Sequence, residues 1–164
     1  MSEPKEQQPP GDFVVRVKTV TPQRLVVGHM PVAAGDWGLA AEKILEDVWK
    51  HLNTYDDITV GPAMARLLPA KPGSVLVEAG FPVVQNLGDV EPFQIAQLPG
   101  GEAATVLLQG PYERLPEAQA VLEDWLNRER KQGDIAPWLI FWATPDDVQL
   151  PSELRTELVW PLRA

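Results

Sequence analysis

The sequence predicts an α+β fold in which one ββαββ unit is used twice. Two observations carry this. Landmarks recur at a nearly constant offset. Leu45-Glu46-Asp47-Val48-Trp49 is echoed about 77 residues later by Leu122-Glu123-Asp124-Trp125, and Val77-Glu78-Ala79-Gly80-Phe81-Pro82-Val83 about 79 residues later by Thr156-Glu157-Leu158-Val159-Trp160-Pro161-Leu162. The apolar period also switches between two and three-to-four in the same order in both halves, as strands and helices require. The expected product is a pseudo-two-fold antiparallel sheet with two helices on one face and a concave ligand cleft on the other.

Residues 1–12 are polar and rich in Pro and Gln, so a disordered tail is expected there. Residues 13–164 read as one domain, with repeats at about 13–86 and 92–162. Residues 13–20 alternate and are β-branched, Thr21-Pro22-Gln23 turns the chain, and residues 24–30 return as a second strand. From Trp37 to about Asn53, Ala41, Ile44, Leu45, Val48 and Leu52 define one helical face, with Asp36 as the expected N-cap. Strands follow at 62–68 and 75–83, turned by Lys71-Pro72-Gly73-Ser74.

The second unit repeats this plan. Strands are expected at 92–98 and 103–109 around Pro99-Gly100-Gly101, then a helix at 115–130 with Ala118, Val121, Leu122, Trp125 and Leu126 on one face. Gly133 is the expected helix stop, and strands at 138–143 and 154–162 complete the chain. The matched positions of Trp49 and Trp125 on apolar helix faces assign both rings to the core.

Composition removes several classes of function. The sequence has no cysteine, so disulfides, thiolate nucleophiles and Cys-based metal sites are excluded. His29 and His51 are its only histidines, which excludes a multi-His metal site within one chain; no metal and no cofactor is expected. A formal charge of −9 over 164 residues repels phosphate backbones, so no direct nucleic-acid partner is expected. No apolar run approaches the roughly 20 residues of a membrane span, and the first residues lack the pattern of a secretion signal; a cytoplasmic protein is expected.

The series Leu98-Pro99-Gly100-Gly101, Gly110-Pro111-Tyr112-Glu113, Ala118, Leu122, Trp125-Leu126, Pro137-Trp138, Phe141, Pro145 and Thr156-Glu157-Leu158-Val159-Trp160-Pro161-Leu162, in this order and spacing, resembles the GyrI-like small-molecule-binding domain, which also serves AraC-type and MerR-type regulators as an effector-binding domain. The resemblance covers about residues 13–162. It implies a duplicated ββαββ sheet with a central pocket for apolar, often cationic, compounds. Stand-alone relatives include gyrase-binding proteins and hydrolases of small electrophiles. Residues ahead of Phe13 leave no room for a DNA-binding domain, so a stand-alone form is expected.

Three positions depart from the family pattern. The strand after Pro-Trp usually reads Glu, any residue, Tyr; here those positions hold Leu139 and Phe141, and Gln109 replaces a frequent His. The expected site therefore has Met64, Leu139, Phe141 and Val159 as apolar contacts and Tyr112, Glu157 and Arg66 as orienting groups, with Glu78 as the repeat equivalent of Glu157. If Leu139 and Phe141 face the ligand, then Trp138, Ile140 and Trp142 face the helices. Glu157 is read either as a ligand-holding carboxylate or as the partner of an Arg such as Arg66. Gly80 leaves the wall open beside Glu78 in this reading. The leading function is a non-catalytic binder of a small apolar or weakly cationic aromatic molecule. The alternatives are a hydrolase with Glu157 as base and Tyr112 as acid, and a gyrase-inhibitor-like module with a protein partner.

Overall fold

The computed structural model describes residues 13–163; the tail expected at 1–12 lies outside the described residues. It contains β1 (Arg16–Val20), β2 (Gln23–Ala33), α1 (Trp37–Leu52), β3 (Met64–Pro69), β4 (Ser74–Val83), β5 (Gln94–Leu98), β6 (Gly101–Gln109), α2 (Leu115–Glu129), β7 (Trp138–Ala143) and β8 (Arg155–Pro161). The element order is ββαββ twice, as the sequence predicts, and the class is α+β.

Contacts divide the chain into two compact units, and these do not coincide with the sequence repeats. One unit is Thr21–Gly100, in which β5, β2, β4 and β3 pair in that order. The other joins β1 to everything from Gly101 onward, in the order β1, β6, β8, β7. All of these pairings are antiparallel. The first strand of each sequence repeat has changed places. Each pairs with the second strand of the other repeat, Arg16 opposite Thr105 and Arg24 opposite Gln97. Local periodicity identifies a strand but carries no information about its partner.

In the Thr21–Gly100 unit, α1 lies on β2 and β4. Its buried residues Ala40, Ala41, Ile44, Val48 and Leu52 recur at spacings of one, three and four, the stripe that a helix presents to a sheet. Gly28 makes the close approach possible, because a Cβ there would stand 2.9 Å from Ile44 Cγ2. Trp49 departs from its expected core place. It is 46% exposed and tilts its ring against Phe81 at 5.4 Å, on the margin of the stripe. Asp36 caps nothing with its side chain. A 3-10 turn, Ala34–Asp36, leads into the helix, and Asp36 has φ −100° and ψ 11°, outside the extended region that a capping side chain needs.

In the other unit, α2 lies on β6 and buries Leu115, Ala118, Leu122 and Leu126. Beneath it Val106, Leu108 and Leu158 are fully buried; each such side chain contributes about 1.5–3 kcal/mol. Trp125 is half-buried, not a core residue, because it sits at the edge of that stripe. The helix ends at Arg130, which takes the left-handed conformation (φ 55°) while Lys131 N–H donates to the Leu126 carbonyl at 2.9 Å. Gly133 has another task. It bridges to Leu162, and a Cβ there would run into the Trp160 indole, whose Nε1 donates to the Asp134 carbonyl at 2.7 Å.

Candidate functional site

The β1–β6–β8–β7 register sets which side chains share a face. Glu157 on β8 lies opposite Leu107 on β6 and Ile140 on β7, while Leu158 lies opposite Val106 and Leu139. Since α2 covers the Val106 and Leu158 side, Glu157 faces away from the helix. On that face a cavity of about 520 Å³ opens. Its apolar lining is Val14, Leu107 and the Trp142 ring, and its polar lining is Arg16, Lys18, Thr105, Arg155 and Glu157.

Glu157 is only 7% exposed, and a buried carboxylate is costly unless both oxygens are served. Both are. Lys18 Nζ donates to Oε2 at 2.6 Å, and Trp142 Nε1 donates to Oε1 at 3.0 Å. Lys18 comes from β1, so the strand exchange supplies the counter-ion. Trp142 sits in a bulge: the β7–β8 register shifts between Phe141 and Ala143, so Trp142 has no ladder partner on β8, and its indole reaches Glu157. The Thr105 hydroxyl donates to the Arg16 carbonyl at 3.2 Å and ties β1 to the cavity floor.

The Thr21–Gly100 unit holds a matching carboxylate. Glu78 on β4 is 5% exposed. Arg66 on β3 donates to its Oε1 from Nε at 3.0 Å and from Nη2 at 2.9 Å. His29 Nε2 lies 2.9 Å from Oε2, a hydrogen bond the ring donates when Nε2 carries the proton. Arg66 thus pairs with its cross-strand neighbour Glu78, and Glu157 takes Lys18 in place of the expected arginine. Met64 shares the face of Arg66 and Glu78 and is 1% exposed. Gly80 leaves no opening beside Glu78, because the Val26 carbonyl oxygen fills the space a side chain would occupy.

The expected ligand residues separate. Glu157 lines the cavity. Val159 shares its face but is buried to 2% exposure. Leu139 and Phe141 lie opposite Leu158 and Thr156, on the helix side; the strand parity read from the sequence is reversed, and Trp138, Ile140 and Trp142 share the face of Glu157. Residues 138–142 read Trp-Leu-Ile-Phe-Trp, apolar at every position, so periodicity could not fix which alternate set faces which way. The Tyr112 ring meets Phe141 edge-on at 6.0 Å, so it belongs to the helix side and does not share a face with Glu157. Burial, with Asp147 adding to it, holds the Tyr112 hydroxyl above its usual pKa. Asp147 closes a turn, accepting from Thr144 N–H and Oγ1 at 3.0 Å each; these bonds, the backbone one foremost, lower its pKa.

Sequence reasoning missed Val14, Arg16, Lys18, Thr105, Leu107, Trp142 and Arg155 as lining residues. One signal was present: Val14, Arg16 and Lys18 occupy alternate positions of a strand, so they share a face. Among the described residues no group of three or more His, Asp or Glu side chains is arranged to hold a metal ion, and no helix is long and apolar enough to cross a membrane.

No family model and no curated protein matches the sequence. Solved structures match it in fold. The EcmrR C-terminal domain aligns with a TM-score of 0.78 at 17% identity, covering 92% of this chain and 98% of that one. EcmrR in a DNA complex aligns with a TM-score of 0.79 at 18% identity over 92% of this chain, which spans 57% of the EcmrR chain. SAV2435, solved bound to tetraphenylphosphonium, aligns with a TM-score of 0.64 at 11% identity, covering 92% and 94%. The chain therefore shares the α+β fold of these proteins, and at these identities the likeness is one of fold alone.

Proposed function

We propose that this chain is a non-catalytic small-molecule-binding module whose ligand has an apolar or aromatic body. The observation that carries the reading is the pairing of Trp142 with the buried Glu157 on the wall of a 520 Å³ cavity. That volume falls in the range of small-molecule sites, about 300–1,000 Å³. Trp142 is half-exposed, and its ring, Val14 and Leu107 offer an apolar surface, while the bond to Glu157 fixes the indole in place before a ligand arrives. The ligand bound to SAV2435, which shares the fold, is a small aromatic cation; this supports a small-molecule role for the fold and leaves the ligand of this chain to experiment. A hydrolytic pair of Glu157 and Tyr112 gains no support from the register, since the two lie toward opposite sides of one sheet.

The test is calorimetric titration of the full chain with tetraphenylphosphonium and with the uncharged aromatic N-phenyl-1-naphthylamine. Saturable binding of the uncharged compound is expected, weakened about fivefold or more in Trp142→Ala by loss of the aromatic wall. Absence of binding by both compounds and by an aromatic anion, 8-anilino-1-naphthalenesulfonate, or binding untouched by Trp142→Ala, overturns the reading.

A further inference from the structure

We infer that the cavity beside Glu157 takes an aromatic oxyanion, a carboxylate or sulfonate on an apolar ring system, rather than the apolar or weakly cationic aromatic molecule expected from the sequence. The inference rests on the proposed binding role and adds the charge class of the ligand. Three cations, Arg16, Lys18 and Arg155, line the cavity against one carboxylate, Glu157. Both oxygens of that carboxylate are already engaged, Oε2 by Lys18 at 2.6 Å and Oε1 by Trp142 at 3.0 Å. An incoming cation must displace Lys18 from a charge-assisted bond and approach two further guanidinium groups.

Arg16 and Arg155 are in the opposite position. Both are exposed, both line the cavity, and among the described residues neither forms an ion pair. A guanidinium group can pair two donors with two oxygens of one carboxylate or sulfonate, a fork that an ammonium lacks. The surrounding protein carries a net charge of −9, so this concentration of unpaired positive charge reverses the sign of the chain as a whole. Exposed acids farther away than the screening length, about 8–10 Å at physiological salt, do little to cancel it. The aromatic body has its place on Trp142, Val14 and Leu107.

A matched pair of probes isolates the charge. The full chain is titrated with 8-anilino-1-naphthalenesulfonate and with N-phenyl-1-naphthylamine, the same ring system without the sulfonate, and tetraphenylphosphonium gives the opposite charge. The sulfonate should bind about tenfold or more tightly than its uncharged relative, the increment of a charge-assisted contact, and tetraphenylphosphonium no more tightly than the uncharged compound. In the Arg16→Gln/Arg155→Gln double variant, whose folding is checked by circular dichroism, the sulfonate's advantage should vanish while the uncharged compound still binds. If the uncharged compound binds and the sulfonate gains nothing over it, the charge inference falls and the binding module stands. The inference also falls if the advantage survives in the double variant, or if tetraphenylphosphonium is the tightest of the three. If none of the three binds, the binding module itself falls and the charge inference with it.

Discussion

Trp142 donates its indole N–H to Glu157 at 3.0 Å from the one position where the β7–β8 register slips. Alternation along β7 already puts Trp142 on the face of Glu157, and the bulge leaves it without a ladder partner on β8. In Trp142→Phe much of the ring remains and the donor is lost, leaving one carboxylate oxygen unserved. Stability should fall by about 1–2 kcal/mol, read from the urea midpoint. The effect should shrink to a few tenths of a kcal/mol when Glu157 is already leucine, which accepts no hydrogen bond, because residues joined by one hydrogen bond are not additive. Equal effects in both backgrounds would show that the bond contributes nothing.

Arg66 and Glu78 form the more enclosed ion pair, with side chains 14% and 7% exposed. Arg66→Met leaves the buried Glu78 carboxylate with the His29 contact but without its ion pair and should cost about 3 kcal/mol. Replacing both together, Arg66→Met with Glu78→Leu, should recover most of that loss, since an apolar pair of similar size carries no desolvation penalty. A double variant as unstable as the single one counts against this account.

Tyr112 predicts a pH effect. Burial raises its pKa in the folded state above the ordinary value of 10.0. A raised folded-state pKa gives stability that is complete below the unfolded value and lost as pH climbs through the folded one. Wild type should therefore lose more stability than Tyr112→Phe between about pH 8 and about pH 11. Denaturation midpoints measured at both pH values check this, and parallel losses in the two proteins refute it.

Gly80 predicts a large backbone effect. A methyl group there meets the Val26 carbonyl oxygen, a ladder atom of β2 that cannot swing aside as a side chain does. Gly80→Ala should destabilise the fold by about 3 kcal/mol or more, against less than about 1 kcal/mol for Gly35→Ala, where nothing lies within 4 Å. Thermal melts of the two variants give the comparison, and similar melting temperatures would remove the steric argument.

The elements were legible because their signals are local. Ile44, Val48 and Leu52 recur at helical spacing and are buried, and so are Ala118, Leu122 and Leu126; the strand at 138–143 has the limits read from the sequence. The repeat offset also marked Glu78 and Glu157 as equivalent, and each is a buried acid held by donors from neighbouring strands. Much less of the site could be read. Leu139 and Phe141 were placed on the ligand face, yet β7 is apolar throughout, and a pattern with no alternation has no parity to report. Gly133 and Asp36 were assigned by residue type, while the backbone angles at Arg130 and at Asp36 itself settled both helix ends.

Residue order thus dictated the two helices, the strands, the duplicated plan and the acid near the end of each repeat, since spacing and propensity act between near neighbours along the chain. Long-range pairing dictated the rest. β1 joined β6, which brought Lys18 to Glu157 and Arg16 to the cavity, and β7 joined β8, which brought Trp142 to the same carboxylate. Lys18 and Glu157 are 139 residues apart, and only packing can bring together groups that periodicity treats as unrelated.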